Sequence, residues 1–166
     1  MSIGTKTVCH MAFITRDIQK FTRSWAKFLG IEQPAVWAVP SKDIAPTATF
    51  GKPENYKDCL ISVLEFDNIK LEVVQPGEEP NPWKLYLEKY GEGFQHISFV
   101  VPDPDEAEAT LKELGVDSGY HIGCYPGSTY SFYDTKDVLG MEINIKYDGD
   151  NKKQRDELLK QYEERK

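Results

Sequence analysis

The chain has 166 residues, a length that fits one ordinary domain or two small modules that share a core. It is 40% hydrophobic and 28% charged with a net charge of −7, so the composition is globular and the acidic balance argues against nucleic acid or an anionic membrane as the main partner. No apolar run approaches the roughly 20 residues that span a bilayer, and no hydrophobic signal segment opens the sequence, which indicates a cytoplasmic protein.

An internal repeat organises the chain. Residues 9–31 and 95–116 each begin with His-x-x-Phe in an apolar run, reach an aspartate, and continue as a helical stretch that ends in Leu-Gly. Each copy is typical of a strand, a turn and a helix, with Asp17 and Asp103 as the predicted helix caps. The final glycine of each copy lies where a helix end favours a residue that tolerates a positive φ.

The segments that follow each helix have the alternation and β-branched content of strands. They lie at 35–39, 59–66 and 69–75 in the first half, and at 119–124, 129–134 and 140–146 in the second half. The order βαβββ therefore occurs twice. We predict an α+β fold in which two βαβββ modules form one cupped mixed sheet.

Both modules are predicted to lie in a single domain over residues 1–150. Module one covers about 7–76, a linker with a short helix covers 77–93, and module two covers about 94–147. Residues 40–57 have no counterpart in the second half and are expected to be a loop-like insertion, of the kind that is often functional. The polar tail, 151–166, is helix-prone and expected to be exposed.

One histidine and one glutamate in each half occupy unusual strand positions. Alternation places His10 and His96 opposite the bulky apolar residues of the two opening strands, and it places Glu72 and Glu142 likewise in the closing strands. A carboxylate among apolar strand residues is costly to bury unless it is paired or binds a metal. If the halves form a cup, two imidazoles and two carboxylates make a site for one divalent ion, with Zn, Mn, Co, Ni and Fe(II) all compatible.

This pattern resembles the vicinal oxygen chelate superfamily, which includes glyoxalases, bleomycin resistance proteins and dioxygenases, over roughly residues 7–147. Carried over by position, His10, Glu72, His96 and Glu142 match the metal ligands of that superfamily. The stretch LEVVQPGEEPNPWKLYLEKYGEGFQHISFVV is most similar to methylmalonyl-CoA epimerases.

The resemblance implies a metal-dependent isomerase or lyase that removes a proton next to a thioester carbonyl and passes through a metal-stabilised enolate. Glu142 or Glu72 would double as the base, so Glu142→Gln is expected to lower turnover by orders of magnitude while metal is partly retained. An additional acid that epimerases carry ahead of the Glu72 strand corresponds here to about Asn55 and Tyr56. The expected partner is a small molecule such as an acyl-CoA thioester, and a homodimer is common in the superfamily.

Three alternatives stay open at this stage. A lactoylglutathione lyase of the glyoxalase I type would use the same ligand positions. An extradiol dioxygenase would use two histidines and one glutamate around Fe(II), which the additional Glu72 disfavours. A metal-free binder of small molecules would lack the ligand set.

The third histidine of the chain, His121, has no repeat partner and is expected at the surface or at the rim of a pocket.

Overall fold

The computed structural model describes residues 2–164, which fold into ten strands and five helices. The strands are β1 Val8–Ile14, β2 Val36–Ala38, β3 Thr47–Thr49, β4 Lys52–Glu54, β5 Leu60–Glu65, β6 Lys70–Gln75, β7 Gly93–Val100, β8 His121–Tyr125, β9 Ser128–Tyr133 and β10 Glu142–Asp148. The helices are α1 Ile18–Leu29, α2 Pro82–Tyr90, α3 Pro104–Glu113, α4 Lys136–Leu139 and α5 Lys152–Glu163.

All ten strands belong to one mixed sheet with the order β2-β5-β6-β1-β7-β10-β9-β8-β3-β4. The two halves meet where β1 pairs antiparallel with β7, and each opening strand also pairs in parallel with its own closing strand, β6 or β10. Apart from the strands β3 and β4 in the first half and the short helix α4 in the second, the element order βαβββ appears twice, in equivalent positions on either side of the β1–β7 pair. The predicted α+β fold with a cupped mixed sheet is confirmed.

Helices α1 and α3 cover the convex side of the two halves. Asp17 Oδ1 accepts a hydrogen bond from the amide of Lys20 at 2.8 Å, and Asp103 Oδ1 accepts one from the amide of Asp105 at 2.9 Å, so both predicted caps are confirmed. Ile18 of α1 is fully buried against β5 and β6 in one apolar cluster, and α3 packs against β10 in another. Burial of each such side chain contributes about 1.5–3 kcal/mol. This packing fixes the apolar face of the sheet on the convex side and leaves the polar face on the concave side.

Residues 40–57 do not form the predicted loop. They contain the hairpin β3–β4, whose two-residue turn has φ values of 49° at Phe50 and 70° at Gly51. Strand β3 pairs antiparallel with β8, so this segment of the first half extends the sheet edge of the second half. The prediction was wrong because two three-residue strands are too short to give a periodic signal, and because their partner lies about seventy residues further along the chain.

The helix predicted in the polar tail is confirmed as α5, but its inner face is not simply exposed. Leu158 is buried in a cluster with residues of β3 and β8. The Tyr162 hydroxyl donates to the carbonyl of Thr47 at 2.6 Å and accepts from the amide of Glu54 at 3.1 Å. Helix α5 therefore holds both strands of the hairpin against the second half.

Within residues 2–164, no helix has the length and apolar character needed to cross a membrane.

Candidate metal centre and its cavity

The polar face of the sheet bends around a cavity of about 260 Å³. Strands from both halves contribute to its lining, from β2 on one side to β8 on the other. Its polar lining consists of His10, Glu72, His96, Asn144 and Lys146, while aromatic rings form most of the remaining wall. We call this cavity the cup.

Three of the four predicted site residues come together in the cup. The Nε2 atoms of His10 and His96 lie 3.2 Å apart, and Glu72 Oε2 lies 3.9 Å from His10 Nε2. One donor atom from each of these residues lies within 4.8 Å of the other two. The cluster spans the junction between the halves because β1, β6 and β7 are neighbours in the sheet.

Burial sets the charge state of this cluster. His10 and His96 are 6% and 1% exposed, and desolvation, reinforced by the positive charge of Lys146, lowers the pKa of His10 to about 3. The pKa of His96 is also well below its ordinary value, for the same reason and because His10 lies beside it. Desolvation raises the pKa of Glu72, and Lys146 opposes part of that rise. Both imidazoles are therefore neutral near pH 7 and offer lone pairs.

Glu142, the fourth predicted site residue, is not part of the cluster, and the strand register shows why. In the second half Glu142 is itself the residue paired with His96, whereas in the first half Glu72 lies two positions beyond the residue paired with His10. The position equivalent to Glu72 is therefore taken by Asn144. Because a shift of two residues keeps a side chain on the same face of a strand, alternation alone does not distinguish these two positions.

Asn144 lines the cup with an amide in place of a second carboxylate. Its Oδ1 accepts a hydrogen bond from the Ser98 hydroxyl at 2.7 Å, and its Nδ2 donates to the carbonyl of Ser131 at 3.2 Å. Both bonds hold the amide in one orientation. The cluster thus consists of two histidines and one carboxylate, with a fixed neutral amide on the same wall.

The Glu142 carboxylate lies behind the cluster and takes part in a hydrogen-bonded chain that leads to it. Tyr120 donates to Glu142 Oε2 at 2.6 Å, and Gln95 Nε2 donates to the same oxygen at 3.3 Å. Gln95 Oε1 lies 3.2 Å from His96 Nδ1. The register of β7 skips Gln95, so it is the bulged residue that allows this side chain to point toward its neighbour's ring.

The hydrogen-bonded chain from Glu142 through Gln95 favours one tautomer of His96. A glutamine oxygen accepts a hydrogen bond, so it favours the tautomer of His96 with the proton on Nδ1 and the lone pair on Nε2, toward His10. Desolvation raises the pKa of Glu142 to about 7, although the bond from Tyr120 opposes the rise. Glu142 lines a separate cavity of about 490 Å³ beside α2, not the cup.

The sequence context predicted that His121 lies at the surface or at the rim of a pocket, and this prediction was wrong. It is 2% exposed, and its Nδ1 lies 2.9 Å from Thr49 Oγ1 and 3.0 Å from the Tyr56 hydroxyl. These bonds join the hairpin to the second half. Tyr56, near the position of the additional acid of epimerases, is thus a buried residue of this packing and contributes no carboxylate to the cup.

Sequence reasoning missed two residues of the cup, Asn144 and Lys146. Both follow Glu142 at steps of two along β10, so the alternation that singled out Glu142 also places them on the same face. The repeat does not mark them, because the equivalent positions of the first half hold Glu72 and Val74.

Residues 9–130 match the sequence pattern of the glyoxalase/bleomycin resistance protein/dioxygenase superfamily. The chain belongs to this superfamily. No curated protein matches the chain.

Several solved structures share the fold of this superfamily member. A hypothetical protein from Bacillus halodurans C-125 is 18% identical, with a TM-score of 0.58, over 87% of this chain and 96% of the other. Methylmalonyl-CoA epimerase from Mycobacterium tuberculosis is 19% identical, with a TM-score of 0.57, over 90% of this chain and 92% of the other. A variant of the Streptomyces coelicolor methylmalonyl-CoA epimerase in complex with 2-nitronate-propionyl-CoA is 20% identical, with a TM-score of 0.56, over 85% of this chain and 93% of the other.

The donor set of the cup fits a first-row divalent cation. Two neutral imidazoles and one carboxylate converge from three adjacent strands, and such a set leaves coordination positions open for water or a substrate. The bond from Gln95 to the outer nitrogen of His96 is the kind of supporting contact that histidine ligands of metals receive. His10, Glu72 and His96 are therefore the residues that could hold an ion.

Proposed function

We propose that the protein is a divalent-metal-dependent isomerase or lyase, similar to an epimerase, that removes a proton next to a carbonyl group of a small substrate. The observation that carries this proposal is the convergence of two neutral imidazoles and one carboxylate in a cavity with aromatic walls. His10, Glu72 and His96 would hold the ion. When bound, the ion supplies a Lewis acid that polarises the carbonyl oxygen of the substrate.

We assign the proton transfer to Glu72. It is the one carboxylate among the described residues that lines the cup, and desolvation raises its pKa, which makes it a stronger base than an exposed glutamate. The step requires that one oxygen of the Glu72 carboxylate accept the proton from the carbon next to the carbonyl, and that a proton be returned to the opposite face of that carbon once it is planar. The aromatic walls limit the access of water to the reacting carbon.

We assign Glu142 a positioning role. Its carboxylate receives the Gln95 amide, and Gln95 in turn fixes the ring of His96. This places Glu142 two hydrogen bonds away from the nearest imidazole of the cluster.

The substrate proposed for this site is an acyl thioester whose acyl end enters the cup. The volume of about 260 Å³ lies below the ~300–1,000 Å³ of sites that enclose drug-sized ligands, so a coenzyme A moiety would remain outside. The fold shared with methylmalonyl-CoA epimerases, one of them in complex with an acyl-CoA analogue, supports this choice.

The test begins with metal content by elemental analysis of the purified protein and of His96→Ala. The matched control is His121→Gln, a change at a buried histidine outside the cluster, and circular dichroism checks the fold of each variant. We expect near-stoichiometric metal in the wild type and in the control, and loss of metal in His96→Ala.

The activity itself is tested by mass spectrometry of solvent deuterium that enters methylmalonyl-CoA. Metal-dependent exchange supports the proposal, and its loss in a Glu72→Gln variant that still holds metal supports the assigned base. Absence of metal from the wild type, even after reconstitution with Mn, Co, Zn or Fe(II), would contradict it in favour of a metal-free binder.

One observation favours a second candidate. Two histidines and one carboxylate with open positions form the set that many non-haem Fe(II) oxygenases use, and Asn144 in place of a second carboxylate makes the cluster fit it. An extradiol dioxygenase would consume oxygen when the Fe(II)-loaded protein receives a catechol. Oxygen uptake with catechols, without deuterium exchange into methylmalonyl-CoA, would replace the first proposal with this one.

A further inference from the structure

Lys146 places a positive charge in the cup beside the cluster. It lies on β10, two residues beyond Asn144 on the same face, and is half-buried. Among residues 2–164, no carboxylate oxygen lies within 4.0 Å of its Nζ, whereas exposed lysines such as Lys70 and Lys112 form ion pairs at 2.8 Å and 2.9 Å. A half-buried ammonium group in a cavity is costly to desolvate unless it gains a partner there.

The positive charge of Lys146 lies in the same cavity as His10, Glu72 and His96. The aromatic walls, to which Trp37 and Tyr130 belong, reduce the screening of this charge by water. An anion that entered the cup would therefore interact with Lys146 more strongly than with a lysine at the surface.

We infer that Lys146 binds a carboxylate of the substrate, so that the cup selects acyl compounds that carry a free carboxylate close to the reacting carbonyl. The position of that carbonyl near His10, Glu72 and His96 rests on the proposed function. A carboxylate suits the site better than a phosphate does, because Lys146 is the one cation that lines the cup among the described residues and no arginine fork accompanies it. The small volume of the cup favours the smaller anion.

The inference is tested by isothermal titration of the metal-reconstituted protein with malonate, and with propionamide, which has the same chain length but carries no carboxylate. The variants are Lys146→Met, which keeps the apolar stem, Lys146→Arg, which keeps the charge, and Lys112→Met as a control on α3. Loss of the charge is expected to weaken malonate binding about tenfold or more. Lys146→Arg and Lys112→Met should retain malonate binding, and propionamide should bind Lys146→Met and the wild type equally weakly.

Metal content, measured on each sample, separates this inference from the proposed function. Malonate binding that depends on Lys146 in a protein that holds no metal would contradict the proposed function and support carboxylate recognition. Wild-type malonate affinity in Lys146→Met, or no malonate binding by a metal-loaded wild type, would overturn the inference. Equal displacement of malonate by inorganic phosphate would also overturn it, because the site would then accept anions in general.

Discussion

The two halves of this protein repeat one order of elements but present different side chains to the cup. The first half contributes His10 and Glu72 to the cluster, whereas the second contributes His96 and has Asn144 at the position equivalent to Glu72. The second half does carry a glutamate in its closing strand, but Glu142 lies two positions away and bonds to Gln95 behind the cluster. A repeated backbone therefore does not imply a repeated ligand set, because register decides which residue reaches the shared cavity.

The same asymmetry extends to the edges of the sheet. The second half is covered at β8 by the hairpin β3–β4 and by α5, which is bonded to it through Tyr162. The first half ends at β2, where Trp37 lines the cup and is 46% exposed. The hairpin and α5 thus support the sheet edge of the second half. The sheet edge of the first half is the three-residue strand β2, whose Trp37 is partly exposed.

The largest effect is expected from Glu72→Ala compared with Glu142→Ala. Removal of the carboxylate in the cup should weaken metal binding by more than about 100-fold, whereas loss of the outer carboxylate should weaken it by about tenfold. Metal dissociation constants from competition with a chelator would measure both. Equal losses in the two variants would mean that Glu142 reaches the ion as well, as its sequence position predicted.

The second prediction concerns the pH dependence of stability in the metal-free protein. Burial raises the pKa of Glu142 to about 7 from its ordinary value of 4.5, so the folded state binds this proton more tightly than the unfolded state does. The resulting stabilisation is complete below about pH 4.5 and is lost as the pH rises through 7, by on the order of 2–3 kcal/mol. Urea unfolding at a series of pH values should show a larger loss in the wild type than in Glu142→Gln, which keeps the contribution of the raised pKa of Glu72. Parallel curves for the two proteins would place Glu142 in contact with water.

A third, smaller effect is expected from Gln95→Leu, which removes the link between Glu142 and His96. Without the bond to Nδ1 the tautomer of His96 is no longer fixed, and metal affinity should fall about tenfold. Nitrogen chemical shifts of the His96 ring would report the tautomer directly, which a general loss of stability would not change. Gln154→Leu on the surface of α5 is the matched control, and an unchanged tautomer in Gln95→Leu would rule out the positioning role.

The same link bears on the effect of Glu142→Gln on turnover. If Glu142 is a base, as the sequence predicts, Glu142→Gln lowers turnover by orders of magnitude while metal is partly retained. The hydrogen-bonded chain gives a different expectation, in which the loss of turnover follows the loss of metal affinity and is restored by excess metal. Turnover measured as a function of metal concentration distinguishes a base from a positioning residue.

The smallest effect is expected from Tyr162→Phe, which tests the brace on the second half. The hydroxyl bonds to backbone groups of Thr47 and Glu54, and its removal should lower the free energy of unfolding by about 1–2 kcal/mol. Tyr147→Phe is the control, since no hydrogen bond of the Tyr147 hydroxyl is seen within residues 2–164. Urea denaturation measures both variants, and equal stability would show that the hairpin is held by β8 alone.

The sequence by itself determined the doubled βαβββ order, both helix caps and the face of each strand on which the site residues lie. These are local properties, because a cap needs one side chain next to a few amides and the face of a strand follows from a period of two. His10, Glu72 and His96 could be found in this way because each lies on the opening or closing strand of a repeat and points away from the apolar side.

Only the tertiary structure decided which residue stands opposite which. The choice between Glu142 and Asn144 depends on the pairing of β10 with β7, and a shift of two residues leaves the side-chain pattern unchanged. The crossing of the hairpin to β8, the burial of His121 and the placement of Lys146 beside the cluster depend likewise on contacts between distant segments. Such contacts arise from packing over the whole sheet, and no local pattern in the sequence encodes them.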